Sequence, residues 1–400
     1  MALWSAFILA HLWLGLLNLY GSGLPLGDVT IVYKFWSDQV FLGGFWVGID
    51  SSWVYPILAI FPMLGSSAFG PGLYASTWLT MMVILDAAAF ASIIGWRRAA
   101  RRAVAAWWWI GFLLLLGPIA LGRIDTVTIA LGIVAVSVAA SRPWLAALVL
   151  SIAAWVKVWP AALVAAMVVA LRERWRILAI ALGVSVAVLA GALAFGSGAN
   201  ALSFVTQQTG RGLQVEAPVS TIWLWRAFAG APGTFVYYDR QILTWQVTGD
   251  GVGIVSAIMT PVMVLAVIAV VLVAVLALRR GAEPTAVLAL TSLAIVSALI
   301  AFNKVGSPQF IGWLAVPVVL GLSTRTPDGR WWFSVPAVLS AVTAALTQAI
   351  YPYLYGWLLG LHPLMLAALT ARNALVFALL GWAVHALWTS ARPELVEATD

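Results

Sequence analysis

Residues 97–125 read RRAARRAVAAWWWIGFLLLLGPIALGRID. Four arginines, Arg97, Arg98, Arg101 and Arg102, stand at one end. An apolar run follows that is long enough to cross a bilayer, since a span needs about 20 such residues. The run stops at Gly122-Arg123-Ile124-Asp125, where both signs of charge meet. These two kinds of boundary recur along the whole chain. Basic clusters return at Arg172, Arg174 and Arg176, at Arg279 and Arg280, and at Arg325 and Arg330. Mixed-charge segments rich in Trp, Tyr, Gly and Gln lie between Asp28 and Asp50, at Arg123 and Asp125, between Arg211 and Asp250, and at Lys304. The positive-inside rule assigns the basic clusters to the cytoplasmic face. The mixed-charge segments then share the opposite face, where chemistry has room to occur.

The composition agrees with this reading. The chain is 63% hydrophobic and 9% charged, which describes one integral membrane unit over residues 1–400. In hydrocarbon each backbone polar group needs an internal partner, and an apolar run of this length meets that need as a helix. The expected fold is an all-α polytopic bundle with room for roughly ten to twelve spans. The net charge of +7 sits in loops that set topology, so nucleic acid is not an expected partner. The absence of cysteine excludes disulfides, zinc thiolates and iron–sulfur clusters. His11, His362 and His385 are isolated, so no metal site and no cofactor are expected. No Gly-rich nucleotide loop is present, so any donor substrate would be a lipid or would enter from the membrane side. Most of the 23 tryptophans read as interfacial anchors; Trp46, Trp223 and Trp225, beside mixed-charge loops, are candidates for stacking on a sugar face.

Residues 1–20 read as a retained first span. Residues 21–52 form the first outer loop, broken by Gly21-Ser22-Gly23 and Pro25. Within it Val29, Val32, Tyr33, Trp36, Val40 and Phe41 repeat at helical spacing, predicting an amphipathic helix at the interface. Residues 53–64 are apolar but too short to cross and read as a dipping segment. Further spans are expected at 72–96, 104–121, 126–140, 177–195, 254–278, 286–302, 310–322, 331–350 and 363–387. Residues 143–171 exceed one span and are interrupted by Lys157 and Pro160, so they read as one kinked helix or two short ones. The parity of the basic clusters requires two crossings or a re-entrant hairpin, and the hairpin is the expectation taken. Residues 196–253 form the large outer loop region.

Asp28 opens the amphipathic helix. It suits two roles: N-cap of that helix and general base toward an acceptor hydroxyl. Asp38, ten residues on, is read onto the same side; Asp50 reads as a cap. Lys157, Lys304 and Arg372 stand in or beside apolar helices, where cations are costly and have partners. They either snorkel to headgroups or line a pocket for a phosphate, to which arginine offers a bidentate fork. Asp86 is an acid deep in the second span, suited to pairing with an arginine or taking up a proton. A transporter or lipid flippase is the alternative reading. It places charges near mid-membrane in matched broken helices, whereas here they concentrate near one face.

Gly27-Asp28-Val29 with Tyr33, then Tyr55-Pro56, resembles the polyprenyl-phosphate-mannose-dependent mannosyltransferases of glycosyltransferase family 87. Gly122-Arg123-Ile124-Asp125, Lys157-x-x-Pro160, Arg211-Gly212-Leu213-Gln214-Val215-Glu216, Lys304-x-x-Ser307-Pro308-Gln309 and Arg372-Asn373 continue the likeness in order. The chain departs from the pattern at Arg123, where the family often has Gln, and at Ile57, which follows Tyr55-Pro56 where a second Pro is usual. The resemblance implies the GT-C fold in the cell membrane, with an extracytoplasmic site. It implies transfer of a sugar, mannose in most members, from a polyprenyl phosphate to a glycolipid or lipoglycan hydroxyl, with inversion. Asp28 is then the catalytic base, and Tyr33, Asp38, Arg123, Asp125, Lys157, Arg211, Gln214, Glu216, Lys304, Gln309 and Arg372 are the substrate-binding candidates.

The charge pattern generates a topology test. The cysteine-free chain accepts single introduced cysteines cleanly. In intact cells an impermeant thiol reagent is expected to label positions within 21–52 and 196–253 and to spare position 100. Strong external labelling at position 100 overturns the orientation.

Overall fold

The computed structural model describes residues 1–95, 100–207, 210–324 and 332–390. Arg97, Arg98, Arg325, Arg330, Trp331 and the tail 391–400 lie outside them, as does the side chain of Arg101. Among the described residues, eight helices are long and apolar enough to cross a membrane: Ala2–Tyr20, Pro71–Ile94, Arg102–Ala120, Arg174–Ala194, Val252–Arg279, Pro284–Ala301, Ser334–Tyr353 and Pro363–Thr389. Four shorter apolar helices cover Asp125–Val138, Pro143–Val156, Ala161–Ala170 and Pro308–Ser323. The protein is the all-α polytopic membrane bundle that its hydropathy predicts.

Burial separates the helices by what they face. Pro284–Ala301 is 78% buried within the protein, whereas Arg174–Ala194 is 11% and Val252–Arg279 is 17% buried. The first is a central helix. The other two are more apolar still but present most of their surface outward, as lipid-facing helices do.

Residues 143–171 break as the sequence pattern suggests. Pro143–Val156 ends at Lys157, whose backbone is extended (φ −151°, ψ 135°), and a second helix runs over Ala161–Ala170. Proline in a helix interior would remove a hydrogen bond and clash with the preceding turn, so the chain turns at Lys157–Pro160. The two helices have 14 and 10 residues, or about 21 and 15 Å at 1.5 Å per residue. Each is shorter than a hydrocarbon core of about 30 Å. Lys157 at the tip meets Asp125, the first residue of Asp125–Val138.

In the first loop a π-helical turn, Asp28–Tyr33, runs directly into an α-helix, Lys34–Gly43. Val29, Tyr33, Ser37 and Val40 are buried along one stripe, at the i, i+4 spacing of a packed helix face. Ile31, Phe35, Phe41 and Leu42 are exposed, which suits a helix lying in the membrane interface. Phe41, read onto the inner stripe from the sequence, therefore faces outward. Residues 53–65 hold only a 3-10 turn, Ile57–Ala59, and a short helix, Ile60–Gly65.

Residues 196–253 contain a small sheet that hydropathy did not foretell. Strands β1 (Leu213–Gln214), β2 (Phe235–Asp239) and β3 (Thr244–Thr248) pair antiparallel in the order β1-β3-β2. The register sets Val236 and Leu213 on either side of Val247. Leu213, Val215, Trp223, Leu224 and Val247 form a core with Ile350, Leu358, Leu366 and Leu369. The region therefore packs onto the last membrane helices rather than hanging free.

Gly306 marks the closest approach between two site-bearing loops. A Cβ there would run into the backbone at Glu216 and Ala217. Gly306→Ala is expected to cost about 1–3 kcal/mol through overpacking, read as a lower thermal midpoint in detergent. Gly183 lies in a lipid-facing helix with open space around it, and Gly183→Ala is expected to hold or raise the midpoint.

Candidate active site

The charged candidates converge at one end of the bundle. Asp28 Oδ2 meets Arg123 Nε at 3.0 Å. Arg123 is further held by its Nη1, which donates to the Pro25 and Gly122 carbonyls at 2.7 Å, and by its Nη2, which donates to the Tyr351 hydroxyl at 2.8 Å. The Arg123 side chain is 4% exposed and that of Asp28 is 42% exposed. A buried guanidinium engaged at all three nitrogens thus holds one oxygen of a carboxylate that still reaches solvent. Burial alone would lower the Arg123 pKa; Asp28, Tyr351 and Tyr33 outweigh it, and the group stands above the ordinary arginine value.

This geometry corrects the capping role. Gly27 occupies the N-cap position and no side chain caps the helix. Asp28 already lies within the π turn, and its carboxylate is engaged by Arg123 instead. Tyr33 is inside the protein, 1% exposed. Its hydroxyl accepts from the Ile124 amide at 3.3 Å and its ring packs on Trp36 and Trp78. It braces the Arg123 turn. Burial pushes its phenol well up, so it stays protonated.

A second pair lies alongside. Asp125 accepts from Lys157 Nζ at 3.1 Å and from Trp313 Nε1 at 2.7 Å. The Lys157 ammonium lies 4.9 Å from the Tyr55 ring centre and 5.6 Å from that of Phe310. At 15% side-chain exposure it is paired rather than snorkelled. Trp159 stacks on Trp313 at 5.4 Å and donates to Thr128 Oγ1, closing the wall behind Asp125. Gln309 is buried in the Pro308–Leu314 turn beside Phe310.

The third pair spans the longest sequence distance. Arg372 Nη1 donates to Glu216 Oε2 at 2.5 Å and its Nη2 to the Glu216 carbonyl at 2.7 Å. Nε and Nη2 also donate to Asn373 Oδ1. Both partners are buried, so Arg372 anchors a loop instead of facing a pocket. In the same loop the Gln214 amide donates to the Lys304 carbonyl at 3.1 Å, and the Gln214 carbonyl accepts from Ser220 Oγ at 2.6 Å.

Arg211 differs from these cations. It forms no ion pair among the described residues, and its Nε is buried without a hydrogen-bond partner. Its neighbour in charge is Lys304, which Arg211 repels. Burial lowers the pKa of both groups, Tyr55 acting in the opposite sense on Arg211 and Arg211 adding to the effect on Lys304. An anion bound beside them would relieve this repulsion.

Asp38 is not brought into this cluster. It pairs with Lys34 at 2.6 Å along its own helix, because the wider i→i+5 turn before it shifts the phase from Asp28. Asp50 accepts from the Trp46 amide. Asp86 pairs with His11 at 3.2 Å, not with an arginine. Trp223 and Trp225 donate to the Asp250 carbonyl and to Thr370 Oγ1, so their indoles are structural. Sequence reasoning missed Tyr351 and Trp313; their only signal was an aromatic ring with a polar handle in a segment that reaches the site.

A sequence model of glycosyltransferase family 87 matches residues 53–302, and the chain belongs to this family. The match takes in Arg123, Asp125, Lys157, Arg211, Gln214 and Glu216, while Asp28, Lys304 and Arg372 flank it. No curated protein matches the chain.

The contrast between Arg372 and Arg211 is testable by stability. Arg372→Ala leaves Glu216 buried without its partner and is expected to cost about 3–5 kcal/mol. Arg211→Ala removes no ion pair and is expected to leave the thermal midpoint near that of the wild type. Equal midpoints for the two variants would contradict the assignment of Arg372 as an anchor.

Proposed function

We propose that this membrane glycosyltransferase of family 87 moves mannose from a polyprenyl phosphate to a hydroxyl of a glycolipid or lipoglycan, on the extracytoplasmic side and with inversion. The observation that carries the reading is one half-exposed carboxylate, Asp28, held by a buried arginine in the same cluster as the Arg211–Lys304 pair. A base and an anion site are the two parts that such a transfer needs.

In this mechanism the acceptor hydroxyl gives its proton to the exposed oxygen of Asp28. The acceptor oxygen attacks the anomeric carbon from the face opposite the phosphate. The bond between that carbon and the phosphate oxygen breaks, and its electron pair leaves with the polyprenyl phosphate. Arg211 and Lys304 stabilise the charge that grows there. Arg123 keeps Asp28 oriented, and Lys157 contributes positive charge from its place beside Asp125.

The lipid tail has a supporting feature. An apolar cleft of about 420 Å³ is lined by Ala154, Trp155, Ala161, Val164, Leu178 and Val271, among others. Its residues Ala154, Trp155 and Ala161 flank the Lys157 break, so an apolar chain in the cleft has its head near the cations. The basic connections support the orientation. Arg142, Arg172, Arg174, Arg176, Arg279 and Arg280 all lie at helix ends away from the cluster, which by the positive-inside rule supports an outer face for the cluster.

Asp28→Asn, assayed with radiolabelled polyprenyl-phosphate-mannose and a membrane lipid extract, is expected to lower transfer by about 10²–10⁴-fold. Arg123 keeps its bonds to Pro25, Gly122 and Tyr351 in this variant, so folding is expected to survive. Asp38→Asn and Asp50→Asn are expected to stay near wild type. Normal turnover by Asp28→Asn would remove Asp28 as the base. Transfer from another polyprenyl-linked sugar in preference to mannose would revise the donor.

A further inference from the structure

Tyr55 stands between the two halves of the cluster and has been given no task. Its ring is fixed by edge-to-face contacts with Trp53 at 5.5 Å, Trp36 at 5.9 Å and Tyr33 at 6.4 Å. One face is covered by the Lys157 ammonium at 4.9 Å. A ring gripped on three sides by other rings has one direction for its hydroxyl. That hydroxyl makes no hydrogen bond among the described residues, and the residue is half-buried. Packing and the cation–π contact explain an aromatic ring here, but they would be served equally by phenylalanine. The oxygen needs another explanation.

Its neighbours supply one. The Lys157 ammonium under its ring also lies 5.6 Å from the Phe310 ring, on the turn that follows Lys304. The Trp53 amide donates to Ser203 Oγ at 2.8 Å and Gln207 Nε2 donates to Ser52 Oγ at 3.2 Å, so the Tyr55 segment runs beside the segment that leads into Arg211. Arg211 and Lys304 already repel each other, and a further cation would add to that repulsion. A neutral O–H donor adds a hydrogen bond to an anion without adding charge. Bonds from O–H to an anionic oxygen are short and strong.

We propose that the Tyr55 hydroxyl is a ligand of the same anionic oxygen group that Arg211 and Lys304 attract, the phosphate of the lipid-linked sugar donor. The inference rests on the reading of that pair as the anion site. Tyr55 then fixes the phosphate relative to Asp28, because the cage that orients its ring includes Tyr33, which braces the Arg123 turn.

The test is Tyr55→Phe in the purified full-length protein, which keeps the ring, its cage and the contact with Lys157. Radiolabelled polyprenyl-phosphate-mannose is the donor, and sugar-free polyprenyl phosphate is the inhibitor. Loss of a hydrogen bond to a charged group is expected to lower kcat/KM for the donor about 10- to 100-fold. Inhibition by polyprenyl phosphate is expected to weaken to a similar extent. The acceptor KM and the thermal midpoint are expected to hold. Tyr55→Leu, which also removes the ring, is expected to lower the midpoint as well. Arg211→Ala is run beside them. If Arg211→Ala weakens the donor and the inhibitor while Tyr55→Phe changes neither, the Tyr55 assignment is overturned and the anion site stands. If neither variant changes them, the anion site itself is misplaced. A rise confined to the acceptor KM in Tyr55→Phe puts the hydroxyl on the acceptor and also overturns the proposal.

Discussion

The Arg123 guanidinium ties together parts of the chain that hydropathy alone leaves independent. Its donors reach Asp28 and Pro25 in the first loop, Gly122 in its own turn and Tyr351 far along the chain. A charge this well buried costs several kcal/mol in lost hydration, and only close opposite charge and full hydrogen bonding offset that cost. The requirement works as a constraint on geometry. The first loop, the Gly122 turn and the Tyr351 segment must meet at one point, or the arginine is left unsatisfied. Asp28 is oriented as a consequence, with one oxygen engaged and the side chain still reaching solvent.

The same logic repeats twice more around the cluster. Asp125 with Lys157 joins the start of one short helix to the break in another. Glu216 with Arg372 joins the sheet-bearing region to the last long helix. Each pair links segments whose helices pack through apolar surface that does not by itself distinguish one sliding register from another. Hydrophobic contact is non-directional, whereas a buried charge pair tolerates little displacement. Helix burial thus supplies the bulk of the contact, and the ion pairs select the arrangement of the site.

Against these paired groups, Arg211 is the exception. A structural arginine in a membrane protein carries a carboxylate or a set of carbonyls, as Arg123 and Arg372 do. Among the described residues, Arg211 has a buried Nε without a hydrogen-bond partner and a lysine for a neighbour. Arrangements that lower stability in the empty protein are expected where a ligand of opposite charge completes them. The division between cations that hold the fold and one without a carboxylate partner among the described residues is what singles out Arg211 as the proposed anion ligand.

By itself the sequence determined where helices run, because apolar length and the spacing of charges are local properties. The Lys157–Pro160 break, the buried stripe at Val29, Tyr33 and Val40, and the segregation of basic clusters from mixed-charge loops all follow from nearest neighbours along the chain. It also named most residues of the cluster, since a charge in an apolar setting is conspicuous. It did not reveal the sheet, whose strands have two to five residues and too little alternation to recognise. Nor did it reveal the pairings. Positive charge alone groups Arg372 with Lys304 and Arg211, and a place before a helix offers Asp28 a capping role beside its role as a base. Which charge meets which depends on contacts such as Glu216 to Arg372, 156 positions apart. Those are set by helix packing in three dimensions, and only there does an anchoring arginine become distinguishable from one left open to a ligand.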